Sequence, residues 1–212
     1  AGMRMIPVAW YRGLVERCQA AGLLVIVDEI AMGMGRTGAL FAYEHAGIDP
    51  DIVTVGKALT NGATPLSAAI VRESIYDAFT DAGESDHTFY HGHTFTGHPI
   101  GCAAALATLD VYEQEDIVGT ARKSGAVLQQ LLKEHVASHP LIERAWGLGM
   151  IGAFRLSESA PDAQTIKCAM QDRGILIRPL GRMAYIMPPL VTPEPVLAEI
   201  VDTLVSVLDS FQ

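Results

Sequence analysis

Basic residues are scarce in this 212-residue chain: 15 Lys and Arg stand against 24 Asp and Glu, a formal net charge of −9. Without a surplus of cations to neutralise phosphates, no nucleic-acid partner is expected. Cysteine is rarer still. Cys18, Cys102 and Cys168 are odd in number, far apart and form no Cys-x-x-Cys pair, which favours reduced thiols in a cytosolic protein over a disulfide framework. No window approaches the roughly 20 apolar residues that span a bilayer, and no signal-like stretch opens the chain, so no membrane partner is expected. Internal repeats and low-complexity tracts are missing too. So is an initiator methionine at Ala1, and the chain reads as a piece of something longer.

Half of the residues are hydrophobic, enough for a sizeable core in one or two domains. Residues 8–21 carry helical spacing and stop at Gly22. The apolar run Leu23 to Val27 follows, and its continuity predicts a parallel strand covered on both faces. Gly33, Gly35 and Gly38 around Arg36 mark a loop that either permits tight turns or contacts a ligand. A short helical stretch over 40–46, a turn at Asp49-Pro50 and a strand over 52–55 come next. Further elements are a strand over 66–71, a helix over 73–79, a polar loop over 82–99 and an alanine-rich helix opened by Pro99. The small residues of that helix predict close packing against another helix or a partner subunit. Residues 1–114 and 115–212 are read as two domains. The second is α+β, with helices over 117–135, 163–173 and 195–211 and strands over 149–156 and 175–178.

Lys57 is the most informative residue. The run Asp51-Ile52-Val53-Thr54-Val55 ends at Gly56 and hands the lysine to a loop, while the run Leu23 to Val27 ends at Asp28 and Glu29. Two strands therefore deliver an acid and an amine. That pairing suits a pyridine-aldehyde cofactor, with the lysine forming a Schiff base and the acid keeping the ring nitrogen protonated.

The sequence Asp28-Glu29-Ile30-Ala31-Met32-Gly33-Met34-Gly35-Arg36-Thr37-Gly38, followed by Gly56-Lys57-Ala58-Leu59, resembles the signature of class III aminotransferases. Three further stretches resemble the branch of that family that serves biotin synthesis: His91 to Pro99, Gly174 to Gly181 and Tyr185 to Pro189. The resemblance implies an α/β protein of PLP-dependent transferase fold type I. It also implies that residues 1–114 are the end of the large cofactor domain and 115–212 the small domain, about half the length of family members. The other half would carry a phosphate-binding turn, an aromatic residue stacked on the ring and part of the substrate pocket.

By the same resemblance, pyridoxal 5′-phosphate (PLP) is the cofactor, Lys57 its anchor and the catalytic base, and Asp28 the partner of its ring nitrogen. Thr94 matches a position that binds the phosphate of the neighbouring subunit, which implies a homodimer with shared active sites. Gly92 and Tyr185 match substrate-lining positions, and Arg178 the clamp for the carboxylate of the oxo-acid acceptor. His93 stands where the family pattern has proline. The implied reaction moves an amino group from S-adenosylmethionine to 8-amino-7-oxononanoate, giving 7,8-diaminononanoate. Alternatives are another class III transaminase acting on an ω-amino acid or diamine, or an inert fragment that binds no cofactor.

Plainer readings compete residue by residue. Lys57 could be a surface lysine, Asp28 a helix cap, Glu29 a structural or solvated acid, Arg178 half of a surface ion pair, Thr94 a loop hydroxyl and Tyr185 a core aromatic. His87, His91, His93 and His98 raise a zinc-hydrolase reading, but no HExxH pattern or cysteine pair accompanies them and no metal is expected.

Overall fold

In a computed structural model that describes residues 2–80 and 88–212, the β-branched runs become strands. β1 (Ile26–Asp28) and β2 (Ile52–Val55) pair in parallel, with Val27 opposite Val53 and Asp28 opposite Thr54. β3 (Ala68–Val71) joins β2 antiparallel, giving the order β1-β2-β3. This sheet belongs to a unit formed by Pro7–Met34 and Phe41–Glu115. Helix α1 (Val8–Ala20) and a 3₁₀ helix (Ala42–Ala46) accompany it, and Val15, Val27, Ala46 and Ile48 form a small core there. Where β2 begins, Arg72 pairs with Asp49 at 2.5 Å and Asp51 at 3.0 Å, and Asp51 accepts the Val25 N–H at 2.8 Å. That end of the sheet is tied electrostatically, which leaves the carboxyl ends of β1 and β2 for the site.

The expectation that the run Leu23 to Val27 is covered on both faces is corrected. Val27 is buried, but Leu24 and Ile26 are 62% and 63% exposed. Among the described residues, α1 and the 3₁₀ helix cover the face that Val27 presents, and the side with Leu24 and Ile26 is left uncovered. Beyond β3 come α2 (Glu73–Thr80) and α3 (Pro99–Gln114). Pro99 occupies the first turn of α3, where its missing N–H costs nothing. Of the polar loop expected before it, residues 81–87 lie outside the described residues. α3 buries Gly101 and Ala105, and Gly101 lies against Leu66, while Ile100, Leu106, Leu109 and Val111 stay exposed.

The other unit comprises Ala1–Ile6, Gly35–Leu40 and Asp116–Gln212. Its antiparallel sheet has four strands in the order β4 (Ile142–Leu148), β5 (Ile151–Leu156), β7 (Met183–Ile186), β6 (Arg178–Leu180). α4 (Ile117–Leu131) packs on β4 and β5, α5 (Ala163–Gln171) on β6 and β7, and α6 (Glu194–Asp209) against both helices. Leu128, Phe154, Ile166, Met170, Leu197 and Leu204 are fully buried in one continuous core. That is the segregated layering of an α+β unit.

Two expectations shift here for stated reasons. The helix expected to His135 ends its α-helical part at Leu131 and finishes as a π turn over Leu132–Val136. The strand expected over 175–178 starts at Arg178 instead. Gly174 adopts φ +81° after α5, and the Ile175 N–H returns to the Met170 carbonyl at 3.0 Å, so Ile175 belongs to the helix cap. β4 and β7 were not foreseen as strands.

The glycine–arginine loop makes tight turns. Gly35 and Gly38 adopt φ of +86° and +88°, and the Arg36 guanidinium donates from Nη1 to the Pro188 carbonyl at 2.5 Å. Arg122 Nε donates to the Gly38 carbonyl at 2.8 Å.

Close approach decides one glycine and open space another. A Cβ at Gly125 of α4 would lie 2.7 Å from the Gly149 backbone, whereas one at Gly13 of α1 would meet nothing within 4 Å. Gly125→Ala is therefore expected to destabilise by about 1–3 kcal/mol. Gly13→Ala should stabilise by about 0.5–1 kcal/mol. Urea denaturation of both variants checks the opposite signs, and equal signs would contradict the packing described.

Candidate active site

Parallel pairing puts the carboxyl ends of β1 and β2 at one edge of the sheet, and two of the expected site residues come from those ends. Asp28 is the last residue of β1 and is exposed. Its Oδ1 accepts the Ile30 N–H at 3.0 Å and faces the Thr54 hydroxyl at 3.5 Å, a long contact made by its cross-strand neighbour. Asp28 is thus held by its own turn and by β2.

Lys57 lies three residues beyond Thr54, past the end of β2, and opens a 3₁₀ turn, Lys57–Leu59, capped by Gly56. Its backbone is left-handed at φ +44°, a conformation costing a non-glycine residue about 1–2 kcal/mol. Such strain persists where the surroundings over-determine it, as at functional positions. The bonds that brace the turn include Leu59 N–H to the Gly56 carbonyl at 3.0 Å, Asn61 N–H to Ala58 at 3.1 Å, and the buried Thr60 hydroxyl to the Thr64 carbonyl at 2.6 Å. Helix α3 packs against the same turn. Lys57 itself is exposed.

Gly92 and Thr94 sit in the segment leading into α3, and both are exposed. A Cβ at Gly92 would lie 3.2 Å from Thr96 Oγ1, and that hydroxyl also accepts the His93 N–H at 2.9 Å. His93 Nδ1 accepts the Phe95 N–H at 3.1 Å, and His98 Nδ1 the Gly101 N–H at 3.4 Å. These two ring nitrogens serve the turn and the helix cap. His87 lies outside the described residues, and among the described residues no group of three or more His, Cys, Asp or Glu is arranged to hold a metal.

Arg178 and Tyr185 lie directly opposite each other on β6 and β7, in the other unit. Arg178 is exposed and Tyr185 half-buried. The antiparallel pairing makes a guanidinium and a phenol cross-strand neighbours, a relation that 7 positions of sequence separation conceal.

Glu29 and Thr54 carry roles that residue reading did not assign. Glu29 is 2% exposed. Its Oε1 accepts the Tyr43 N–H at 2.9 Å, and its Oε2 is buried without a hydrogen-bond partner among the described residues. Burial pushes this carboxyl above the usual glutamate range; the Ala42 and Tyr43 N–H groups oppose the shift, and the Glu44 and Asp28 charges reinforce it. The signal available in the sequence was alternation, since an outward Asp28 at a strand end sends the next side chain inward. Thr54 gave no signal before the register was known.

Among the described residues no helix is long and apolar enough to cross a membrane. The three cysteines are free.

Comparison with known proteins gives this geometry a family. The model of the family "Aminotransferase class-III" matches residues 1–208. An adenosylmethionine-8-amino-7-oxononanoate aminotransferase of Synechococcus elongatus is 39% identical over 98% of this chain and 49% of its own length. An omega-aminotransferase of Caulobacter vibrioides is 32% identical over 98% of this chain and 48% of its own. Among solved structures, an amine transaminase from an uncultivated Pseudomonas species, in the PLP-bound form, superposes with a TM-score of 0.92 at 31% identity, over 100% of this chain and 50% of that one. The chain thus spans about half the length of the curated relatives it matches. With its signature residues at the carboxyl ends of two parallel strands and a family match along almost its whole length, the chain belongs to the class-III aminotransferases.

Proposed function

We propose that this chain is the C-terminal half of a PLP-dependent transaminase, residues 1–114 completing the large cofactor domain and 115–212 forming the small domain. One observation carries the reading: Asp28 and Lys57 leave adjacent parallel strands at the same sheet edge. In open α/β sheets ligands bind outside the carboxyl ends of the strands. The donor set there fits the cofactor chemically, because an exposed amine can anchor an aldehyde and a carboxylate can face a pyridinium nitrogen.

When bound, PLP supplies an electron sink for the bond-breaking at the donor carbon. The chain's own residues do the rest. Lys57 would hold the aldehyde through Nζ and, when its amine is free, would be the base that takes and returns the proton. Asp28, oriented by Ile30 and Thr54, keeps a negative charge opposite the ring nitrogen and so favours the protonated ring. Thr94 binds phosphate in the neighbouring subunit of a homodimer, Gly92 lets backbone approach the substrate, and Tyr185 and Arg178 receive it. Arg178 meets an acceptor carboxylate with a planar two-point contact.

The substrates we assign are S-adenosylmethionine as amino donor and 8-amino-7-oxononanoate as acceptor, in cytoplasmic biotin synthesis. Support comes from the names of several relatives at 36–39% identity. The omega-aminotransferase relative favours a second reading in which the donor is an ω-amino acid or diamine.

Three outcomes are expected. Borohydride treatment after addition of PLP leaves one pyridoxyl group on Lys57 by peptide mapping, and Lys57→Ala carries none; an unmodified Lys57 in the parent chain would point to an inert fragment. Asp28→Asn keeps the trapped adduct but loses at least about 100-fold in turnover, roughly 2.7 kcal/mol of barrier. In amino-transfer assays with 8-amino-7-oxononanoate, S-adenosylmethionine serves as donor, and Arg178→Lys raises the acceptor KM about tenfold with a smaller change in kcat. No product from that acceptor with any donor would remove the biotin assignment and leave the ω-amino acid reading.

A further inference from the structure

Residue 29 is fastened at every polar group but one. Its N–H donates to the Thr54 carbonyl at 2.9 Å, one residue past the end of the β1 ladder. Its carbonyl accepts the Gly33 N–H at 3.0 Å. Its Oε1 accepts the Tyr43 N–H at 2.9 Å, in the first turn of the 3₁₀ helix Ala42–Ala46. The turn is wrapped tightly around it: a Cβ at Gly33 would lie 2.8 Å from the Glu29 carbonyl oxygen and 3.1 Å from its Cβ. Among the described residues only Oε2 is left buried without a hydrogen-bond partner, a costly arrangement for a carboxyl whose sole task is filling space.

The neighbour explains the cost. Asp28 and Glu29 are consecutive at a strand end, so their side chains leave on opposite sides, one exposed and the other buried. Asp28 has little of its own to hold it, one backbone bond from Ile30 and a long contact with Thr54. We propose that Glu29 is a positioning residue: by clamping the end of β1 to β2, to the turn at Gly33 and to the 3₁₀ helix at Tyr43, it fixes the direction in which Asp28 presents its carboxylate. This inference rests on the assignment of Asp28 to the cofactor's ring nitrogen, but its first test needs no cofactor.

Three substitutions separate acceptor, charge and reach. Glu29→Gln keeps an oxygen for the Tyr43 N–H without the charge; Glu29→Met fills the space without an acceptor; Glu29→Asp keeps the charge but falls one methylene short. In the unloaded chain, amide exchange at Ile30, whose N–H is held by Asp28 Oδ1, is expected to accelerate about tenfold or more in Glu29→Met and Glu29→Asp, and to stay within about threefold in Glu29→Gln. With PLP added, the Met and Asp variants should still trap at Lys57 yet lose about 10- to 100-fold in kcat. The pH midpoint of their cofactor absorbance should move in the same direction as in Asp28→Asn. Combined with Asp28→Asn, Glu29→Asp should add little further loss.

Unchanged Ile30 exchange in Glu29→Asp would overturn the proposal, as would a lowered Tm with kcat and the absorbance midpoint intact. Equal damage from Glu29→Gln would do the same. If Glu29→Met does not fold, Glu29→Asp decides. Should the parent chain trap no PLP while the exchange pattern holds, the cofactor assignment fails and the clamp on Asp28 stands.

Discussion

The parallel pairing of β1 with β2 is the constraint on which the candidate site depends. Its register, Asp28 against Thr54, places an acid at one strand end and an amine just past the next. A slip of one residue would turn Asp28 inward and Glu29 outward, exchanging the exposed carboxylate for the buried one. At the far end of the sheet Arg72 bridges Asp49 and Asp51.

How far the site could be read without coordinates depended on the distance over which each relation acts. Lys57 after Val55-Gly56 and Asp28 after Val27 were legible because strand, glycine and polar residue follow one another directly. That these strands are neighbours and parallel is a non-local fact, inferred from their apolar runs and fixed by the ladder. Arg178 and Tyr185 were marked by resemblance, but their cross-strand pairing depends on β7, which the residue pattern did not disclose. Met183-Ala184-Tyr185-Ile186 is too short and too mixed to stand out. Glu29 shows the opposite failure: its position was plain, but its burial depended on Tyr43, fourteen residues later.

The fold was legible in the same uneven way. Amphipathic helices such as α5 and α6 follow their apolar periodicity to within two or three residues at each end. The Ile175 region misled because an apolar residue after Gly174 suits either a strand or the cap of the preceding helix. The helix wins there, since the Ile175 N–H already has a partner at Met170. The run Leu23 to Val27 misled for a different reason. Its composition is that of a doubly covered strand, and in this chain only one face has cover.

That asymmetry bears on where stability resides. The unit holding Arg178 and Tyr185 has a continuous core with Leu128, Phe154, Met170 and Leu204 fully buried. In the unit holding Asp28 and Lys57 the described residues form a smaller core cluster of Val15, Val27, Ala46 and Ile48, and Leu24, Ile26, Ile70, Ile100 and Leu106 are exposed. Apolar surface of that extent is ordinarily covered in a working protein. The proposed remainder of the transaminase and the proposed second subunit would give it occupants. Because the amine and the carboxylate sit on the thinly cored unit, ordering of the site and coverage of that surface are coupled: each apolar group removed from water there lowers the free energy of the same short strands that aim Asp28 and Lys57.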